Sequence, residues 1–138
     1  MEIKQFRELQ PEAVLIRNEV FVQEQGFENE FDSIDDISTH LVLFDDALPV
    51  ATCRYFWDEI KKSYIVGRIA VRKQHRGKKL GEMILREAEK SIKELGGSSI
   101  YLSAQLRVSK FYVNQGYRMV GEVYYDEFCE HIWMMKEL

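Results

Sequence analysis

Only two cysteines, Cys53 and Cys129, occur among the 138 residues. They are too few for a disulfide framework and fall outside any CxxC spacing, which suits a reducing compartment and makes structural zinc an unexpected feature. No unbroken apolar run approaches the about 18 residues that a spanning helix needs, and the opening MEIKQFRELQ lacks an apolar stretch behind a basic end. Neither a membrane span nor a secretory signal is expected, and a cytoplasmic location is the default. Positive charge is not in excess either. Nineteen Lys and Arg against 23 Asp and Glu leave a net charge of -4, whereas nucleic-acid binding requires a cationic face matched to many phosphates. No internal repeat, low-complexity tract or linker breaks the chain.

What remains is enough for one compact unit. An apolar content of 46% can bury a core of ordinary size, so residues 1–138 are expected to form a single domain. The charges are unevenly spread. Six acids and no Lys or Arg lie between Glu24 and Asp36, while Lys61 to Gly81 holds eight of the nineteen basic residues and no acid. One region suits a polyanion and another a cation. The acidic run is compatible with a solvated loop or with a rim that draws in a cationic substrate.

The periodicities predict ten elements in the order β-α-β-β-β-α-β-α-β-β. Glu2 to Arg7 is a short strand, and Pro11 opens a helix that Gly26 closes. His40 to Phe44 and Val50 to Trp57 are strands joined through Asp45 to Pro49, followed by a strand from Tyr64 to Val71. From Leu80 the apolar residues Leu80, Ile84, Ala88, Ile92 and Leu95 recur at steps of four, four, four and three, which is one face of a helix ended by Gly96-Gly97. Ser99 to Ser103, a helix over Leu106 to Gln115, and strands over Tyr117 to Asp126 and His131 to Lys136 complete the chain. Hairpins combined with one strand-helix-strand crossover make an α/β (α+β) architecture, a mixed and mostly antiparallel central sheet flanked by helices. Ligands favour the strand ends where such a topology changes, and here the crossover begins in the basic segment.

Between that strand and helix lies Arg72-Lys73-Gln74-His75-Arg76-Gly77-Lys78-Lys79-Leu80-Gly81. A helix N-terminus exposes unpaired N–H groups and partial positive charge, so a glycine-bearing loop wrapped there can cradle a diphosphate. Neither GxxxxGKS/T nor GxGxxG is present. The run Gly67-Arg68-Ile69-Ala70-Val71 followed by Arg76-Gly77-Lys78-Lys79-Leu80-Gly81 resembles the acetyl-CoA signature Q/R-x-x-G-x-G/A of the GNAT superfamily of N-acetyltransferases, with Arg76 and Gly81 matching and Lys79 in place of the central glycine. Leu102-Ser103-Ala104-Gln105, Phe111 to Tyr117 and His131-Ile132-Trp133-Met134 look like that superfamily's fifth strand, fourth helix and last strand. Arg17 to Gln25 and the end at His131 are similar to the ElaA/YjcF-like branch, to which glyphosate N-acetyltransferase is related.

The resemblance implies the GNAT fold, with acetyl-CoA as co-substrate, no metal, and an amine acceptor. It implies cofactor contacts at Ile69, Ala70, Val71, Arg76, Gly77, Lys78, Lys79, Leu80, Gly81, Phe111 and Tyr112. It also directs the Tyr112 hydroxyl to the sulfur. A phenol near ~10 protonating a thiolate near ~8.5 is uphill by about 2 kcal/mol, so a hydrogen bond to the sulfur is the expected role. His131 is the first candidate base, since imidazole titrates near working pH, with a packed core histidine as the plain alternative. Glu24 is a second base or an ammonium anchor, and Arg17 a guanidinium for an acceptor carboxylate or phosphate; both equally suit a helix surface. Cys129 with His131 makes neither a metal site nor a needed nucleophile, and His40 and His75 suit structural or solvent-facing positions. Phe21, Phe27, Phe31, Tyr124, Tyr125 and Phe128 suggest an aromatic-lined acceptor site tolerant of cations.

The expected activity is acetyl transfer from acetyl-CoA to a small-molecule amine by direct attack in a ternary complex. The alternatives are a catalytically silent acyl-CoA-binding module and an acetyltransferase of protein lysine or N-terminal amines. A homodimer is compatible with the sequence; nucleic-acid and membrane partners are not expected.

Overall fold

The computed structural model describes residues 1–138. Its strands are β1 (Glu2–Phe6), β2 (Thr39–Asp45), β3 (Leu48–Asp58), β4 (Ser63–Val71), β5 (Ser99–Gln105), β6 (Arg118–Asp126) and β7 (Cys129–Glu137). Its helices are α1 (Pro11–Arg17), α2 (Leu80–Glu94) and α3 (Ser109–Asn114). The element order is the expected one. The first helix continues past Arg17 in wider π-type turns over Asn18–Glu24, and the predicted helix from Leu106 begins as a 3-10 turn over Leu106–Val108.

The strands form one sheet in the order β1-β2-β3-β4-β5-β7-β6. Every neighbouring pair is antiparallel except β4 with β5, which is parallel and joined through α2. Helix α2 buries Leu80, Ile84, Leu85, Ala88 and Ile92 against one face, onto Ala51, Cys53, Tyr55 and Val66. Side chains of that size each contribute roughly 1.5–3 kcal/mol when fully buried. On the opposite face Ala13, Ile16, Val20 and Phe21 of the first helix pack with Val42 and Ala70. Gly96, at φ 89°, ends α2 in the left-handed conformation, and Gly97 follows it in a tight spot: a Cβ there would lie 2.5 Å from the Ile92 side chain.

Two irregularities shape the centre of the sheet. The β4–β5 ladder consists of Tyr64 with Ile100 and Ile65 with Tyr101; beyond it the strands diverge. In the β3–β4 ladder the register moves from Thr52 opposite Ala70 to Arg54 opposite Gly67, so Arg68 and Ile69 together face Cys53. Such a bulge bends the strand that carries it, and Arg68 takes the left-handed conformation at φ 54°.

The acidic run divides: Glu28 and Asp36 are exposed, Glu24 pairs with Arg76, and the other three acids pair with arginines of the sheet and first helix. Glu30, Asp32 and Asp35 form a largely buried network with Arg17, Arg54 and Arg68. Arg17 donates through Nε to Glu30 Oε2 at 2.8 Å and through Nη1 to Asp35 Oδ1 at 2.8 Å. Arg54 Nη1 lies 2.8 Å from both Asp32 and Asp35, and Arg68 Nε 3.0 Å from Glu30. Arg17 is 1% exposed, and its Nη2 is also taken, by the Glu30 carbonyl and Asp35. The expectation that Arg17 binds an acceptor anion is therefore corrected: the side chain is buried and four of its five N–H donors are engaged by Glu30 and Asp35. Burial alone would raise the Asp35 carboxyl, but hydrogen bonds from Arg17 and Arg54 bring it down to about 2.

Removing one member of a buried ion network strands the others without partners. Arg17→Ala is expected to lower the unfolding free energy at neutral pH by about 3–5 kcal/mol, measured by urea denaturation. Because the folded-state Asp35 carboxyl sits near 2 against an ordinary 3.8, its stabilisation is present above 3.8 and is lost as the pH falls toward 2. Asp35→Asn should flatten that part of the stability profile.

Candidate active site

The divergence of β4 from β5 opens a cavity of about 470 Å³. Its long wall is β4 from Val66 to Val71, and the C-terminal end of the first helix forms a second side with Val20, Phe21 and Glu24. Phe111 and Tyr112 of α3 close the side towards β5, while Asp126, Glu127 and His131 of the last hairpin close one end. At the other end lie Arg76 and Gly81, the loop before α2 and the first turn of that helix.

The loop keeps the conformation its motif requires despite Lys79. Gly77 has φ 81° and Lys79 φ 62°, so lysine occupies a left-handed position that glycine would fill without strain. The Lys79 side chain is exposed, with those of Lys78 and Arg76 beside it. The first helical bond runs from Met83 N to Lys79 O at 3.1 Å, leaving the preceding amides at the helix N-terminus free for an anion. Of the expected cofactor contacts, Ile69, Ala70, Val71, Arg76, Gly81, Phe111 and Tyr112 line the cavity, whereas Gly77, Lys78 and Lys79 are exposed outside it. The Leu80 side chain is buried in the core under the sheet, so its backbone is the part available to a ligand.

Tyr112 and His131 face the same cavity from different elements. Burial, with a smaller contribution from neighbouring Cys53, raises the Tyr112 hydroxyl above its ordinary value, and no hydrogen bond offsets this. The group stays protonated and serves as a donor. His131 is 6% exposed, and its Nδ1 lies 3.0 Å from the Cys129 carbonyl. A carbonyl only accepts, so in the neutral ring Nδ1 carries the proton and Nε2 keeps its lone pair. Phe27 meets the ring edge-on at 6.3 Å and Tyr124 lies 6.0 Å away. The histidine touches Cys129 through that carbonyl, not the thiol, and Cys53 is fully buried, its thiol pushed up to about 12.

Glu24 does not stand free as a base. Both its oxygens accept from Arg76, each at 2.7 Å, and this pairing holds the carboxyl below the usual range. Among the aromatic residues expected around an acceptor, Phe21 and Phe27 line the cavity, Phe128 lies 5.0 Å from Phe27, and Tyr124 stacks near Trp133. Phe31 covers Arg17 instead, and Tyr125 is turned outward at 68% exposure. His40 is buried and hydrogen-bonds the Asp35 carbonyl, a structural position.

Sequence reasoning missed the clasp at the end of the cavity formed by the last hairpin. Glu127, at φ 55° in the turn between β6 and β7, accepts from the amides of Glu28 at 3.0 Å and Asn29 at 3.1 Å. The Glu127 carboxylate thereby ties the last hairpin to the segment after the first helix, about 100 residues earlier in the chain. It also missed Gln25 with Gln105, 2.7 Å apart across the gap. Nothing local in the sequence marks either pairing.

Comparison with known proteins decides the family. Residues 6–138 match the acetyltransferase (GNAT) domain. The chain belongs to the GNAT acetyltransferase family. It is 35% identical over 130 residues to the uncharacterized N-acetyltransferase YjcF of Bacillus subtilis, covering 91% of each chain. The crystal structure of Escherichia coli ElaA superposes with a TM-score of 0.86 at 26% identity over 99% of both chains. An acyl-CoA N-acyltransferase from Pseudomonas aeruginosa gives 0.84 at 25% identity over 98% of both. The GNAT fold accounts for the single parallel junction in an otherwise antiparallel sheet, and a GNAT enzyme brings an acyl-CoA and an acceptor together. In this member the left-handed position in the loop is held by lysine. Lys79→Gly should therefore preserve stability or raise it by up to about 1 kcal/mol, whereas Lys79→Val should lower it by about 1–2 kcal/mol; thermal unfolding of the two variants checks this.

Proposed function

We propose that the protein transfers the acetyl group of acetyl-CoA to a small-molecule amine, with residues 1–138 acting as one catalytic unit. The observation that carries this reading is a single cavity running from the loop and helix N-terminus at Arg76 and Gly81 to the pair Tyr112 and His131. The residues present fit a CoA thioester. The diverging edge of β4 supplies unladdered backbone for a pantetheine arm, the free amides of α2 with Lys78 and Lys79 suit a diphosphate, and Phe111 covers the passage between them. Acetyl-CoA supplies an activated acyl group and a thiolate leaving group.

The chain's residues divide the remaining work. The amine arrives as ammonium, and Nε2 of His131 takes its proton, exposing the nitrogen lone pair for attack on the thioester carbonyl. Backbone N–H groups of Ile69 to Val71 orient that carbonyl and offset the charge on its oxygen as the carbon–sulfur bond breaks. The Tyr112 hydroxyl donates a hydrogen bond to the departing sulfur, which takes up the second proton, lost by the nitrogen as the amide forms, and leaves as thiol, while the first proton, held by His131, returns to solvent. Direct attack requires no covalent enzyme intermediate. At the acceptor end Phe27, Tyr124 and Phe128 supply aromatic surface beside the carboxylates of Asp126 and Glu127, a setting that suits a cationic amine carrying an apolar group.

Thiol release from acetyl-CoA over a panel of amines tests this. Amine-dependent release is expected. Tyr112→Phe should lower kcat by about 10- to 100-fold with acetyl-CoA affinity changed by less than about twofold, and His131→Ala should lower kcat/KM by about 100-fold. Tight acetyl-CoA binding without release for any acceptor would identify a binding module instead, and an unchanged kcat in Tyr112→Phe would remove that residue from the chemistry.

A further inference from the structure

Arg76 and Glu24 are 52 residues apart in sequence and belong to different elements lining the cavity, yet their side chains form a two-pronged ion pair with both contacts at 2.7 Å. Arg76 Nε additionally donates to the Val71 carbonyl at 3.0 Å, which pins the guanidinium to the end of β4. Glu24 has no comparable anchor. It is the last residue of the wide-turn stretch, its carboxylate is about one-third exposed, and Arg76 is its one side-chain hydrogen-bond partner. The pair therefore consists of a fixed cation and a movable anion, and the anion already lies against the guanidinium edge that a phosphate oxygen pair would use.

We propose that Glu24 is a built-in competitor for Arg76, displaced by the diphosphate of CoA, and that the displaced carboxylate then becomes the free anion of the cavity. This rests on the cofactor reading above. A diphosphate carries more charge than one carboxylate and gains the free amides of α2 together with Lys78 and Lys79, so it outcompetes Glu24 for the same guanidinium. The released carboxylate does not leave the site. Gln25, next in the chain, is held by Gln105, and Phe27 is packed on His131, so Glu24 stays on a short tether between the cofactor end and the acceptor end. Lys73 and Arg107 are the other cations that bear on it. Once parted from Arg76 the carboxylate lacks a hydrogen-bonded partner, and the ammonium of a cationic acceptor restores one. The acceptor site is thereby completed by cofactor binding.

Calorimetric titration with CoA of the wild-type protein, Glu24→Gln, Arg76→Ala and the double variant tests the exchange. Glutamine removes the ion pair while keeping the shape, so Glu24→Gln should bind CoA about two- to fivefold more tightly than wild type. In the Arg76→Ala background the same substitution should change the affinity by less than about 1.5-fold. The carboxyl carbon-13 resonance of Glu24, assigned by its loss in Glu24→Gln, should move when wild type is saturated with CoA and stay in place on the same addition to Arg76→Ala. Equal gains in both backgrounds would show general charge repulsion in place of displacement, and no gain in Glu24→Gln or an unmoved carboxyl resonance would overturn the exchange while leaving the cofactor reading intact. Failure of the wild-type protein to bind CoA would overturn both.

Discussion

The ladder between β4 and β5 lasts for two residue pairs, Tyr64 with Ile100 and Ile65 with Tyr101, and the rest of the molecule is arranged around its early end. A continuous sheet would satisfy its backbone groups by pairing and leave no room between these strands. Here α2 enforces the parallel crossover, the bulge at Arg68 and Ile69 bends β4 at the point of divergence, and the opened gap receives side chains from five other parts of the chain. A gap of this kind persists only if both of its sides are braced.

The bracing differs on the two faces of the sheet. On the α2 face it is apolar, a continuous cluster from Leu41 through Ile84 and Ile92 to Met134. On the other face the apolar packing of the first helix is joined by an ionic network. Three arginines from α1, β3 and β4 converge on Glu30, Asp32 and Asp35, joining the end of the first helix to the bulged strand. Buried charge of this sort adds little net stability compared with apolar packing, but breaking it is costly. The geometry it imposes is the useful product, because the segment it holds leads directly from Glu24 to Phe27, the residues that face Arg76 and His131. The Glu127 clasp adds a tie from the last hairpin to the same segment.

Local patterns made most of the scaffold legible in advance. Steps of three and four apolar residues marked α2 to within one residue of its observed end, and alternating patterns with turn residues marked all seven strands. The loop before α2 was legible as a helix N-terminus with a nearby glycine and clustered lysines, and the left-handed Lys79 occupies the position of its missing glycine. Long-range pairings were not legible. Arg17 on a predicted helix has the same local signature whether it is exposed or buried against Glu30 and Asp35, and the acid run looks alike as solvated loop or as ion-pair acceptor. Glu24 was singled out without its partner, since a partner 52 residues away leaves no periodic trace. The wide π-type turns after Arg17 likewise have no propensity signal that separates them from an ordinary helix.

Backbone amide shifts in a nitrogen-15-labelled sample report directly on whether CoA binds where β4 diverges from β5. Addition of CoA should shift the amides of Gly67 to Val71 along β4 and of Gly77 to Glu82 around the N-terminus of α2, with little change in β1 and β2. Shifts confined to other parts of the sheet, or no saturable shifts in these two segments, would contradict binding there.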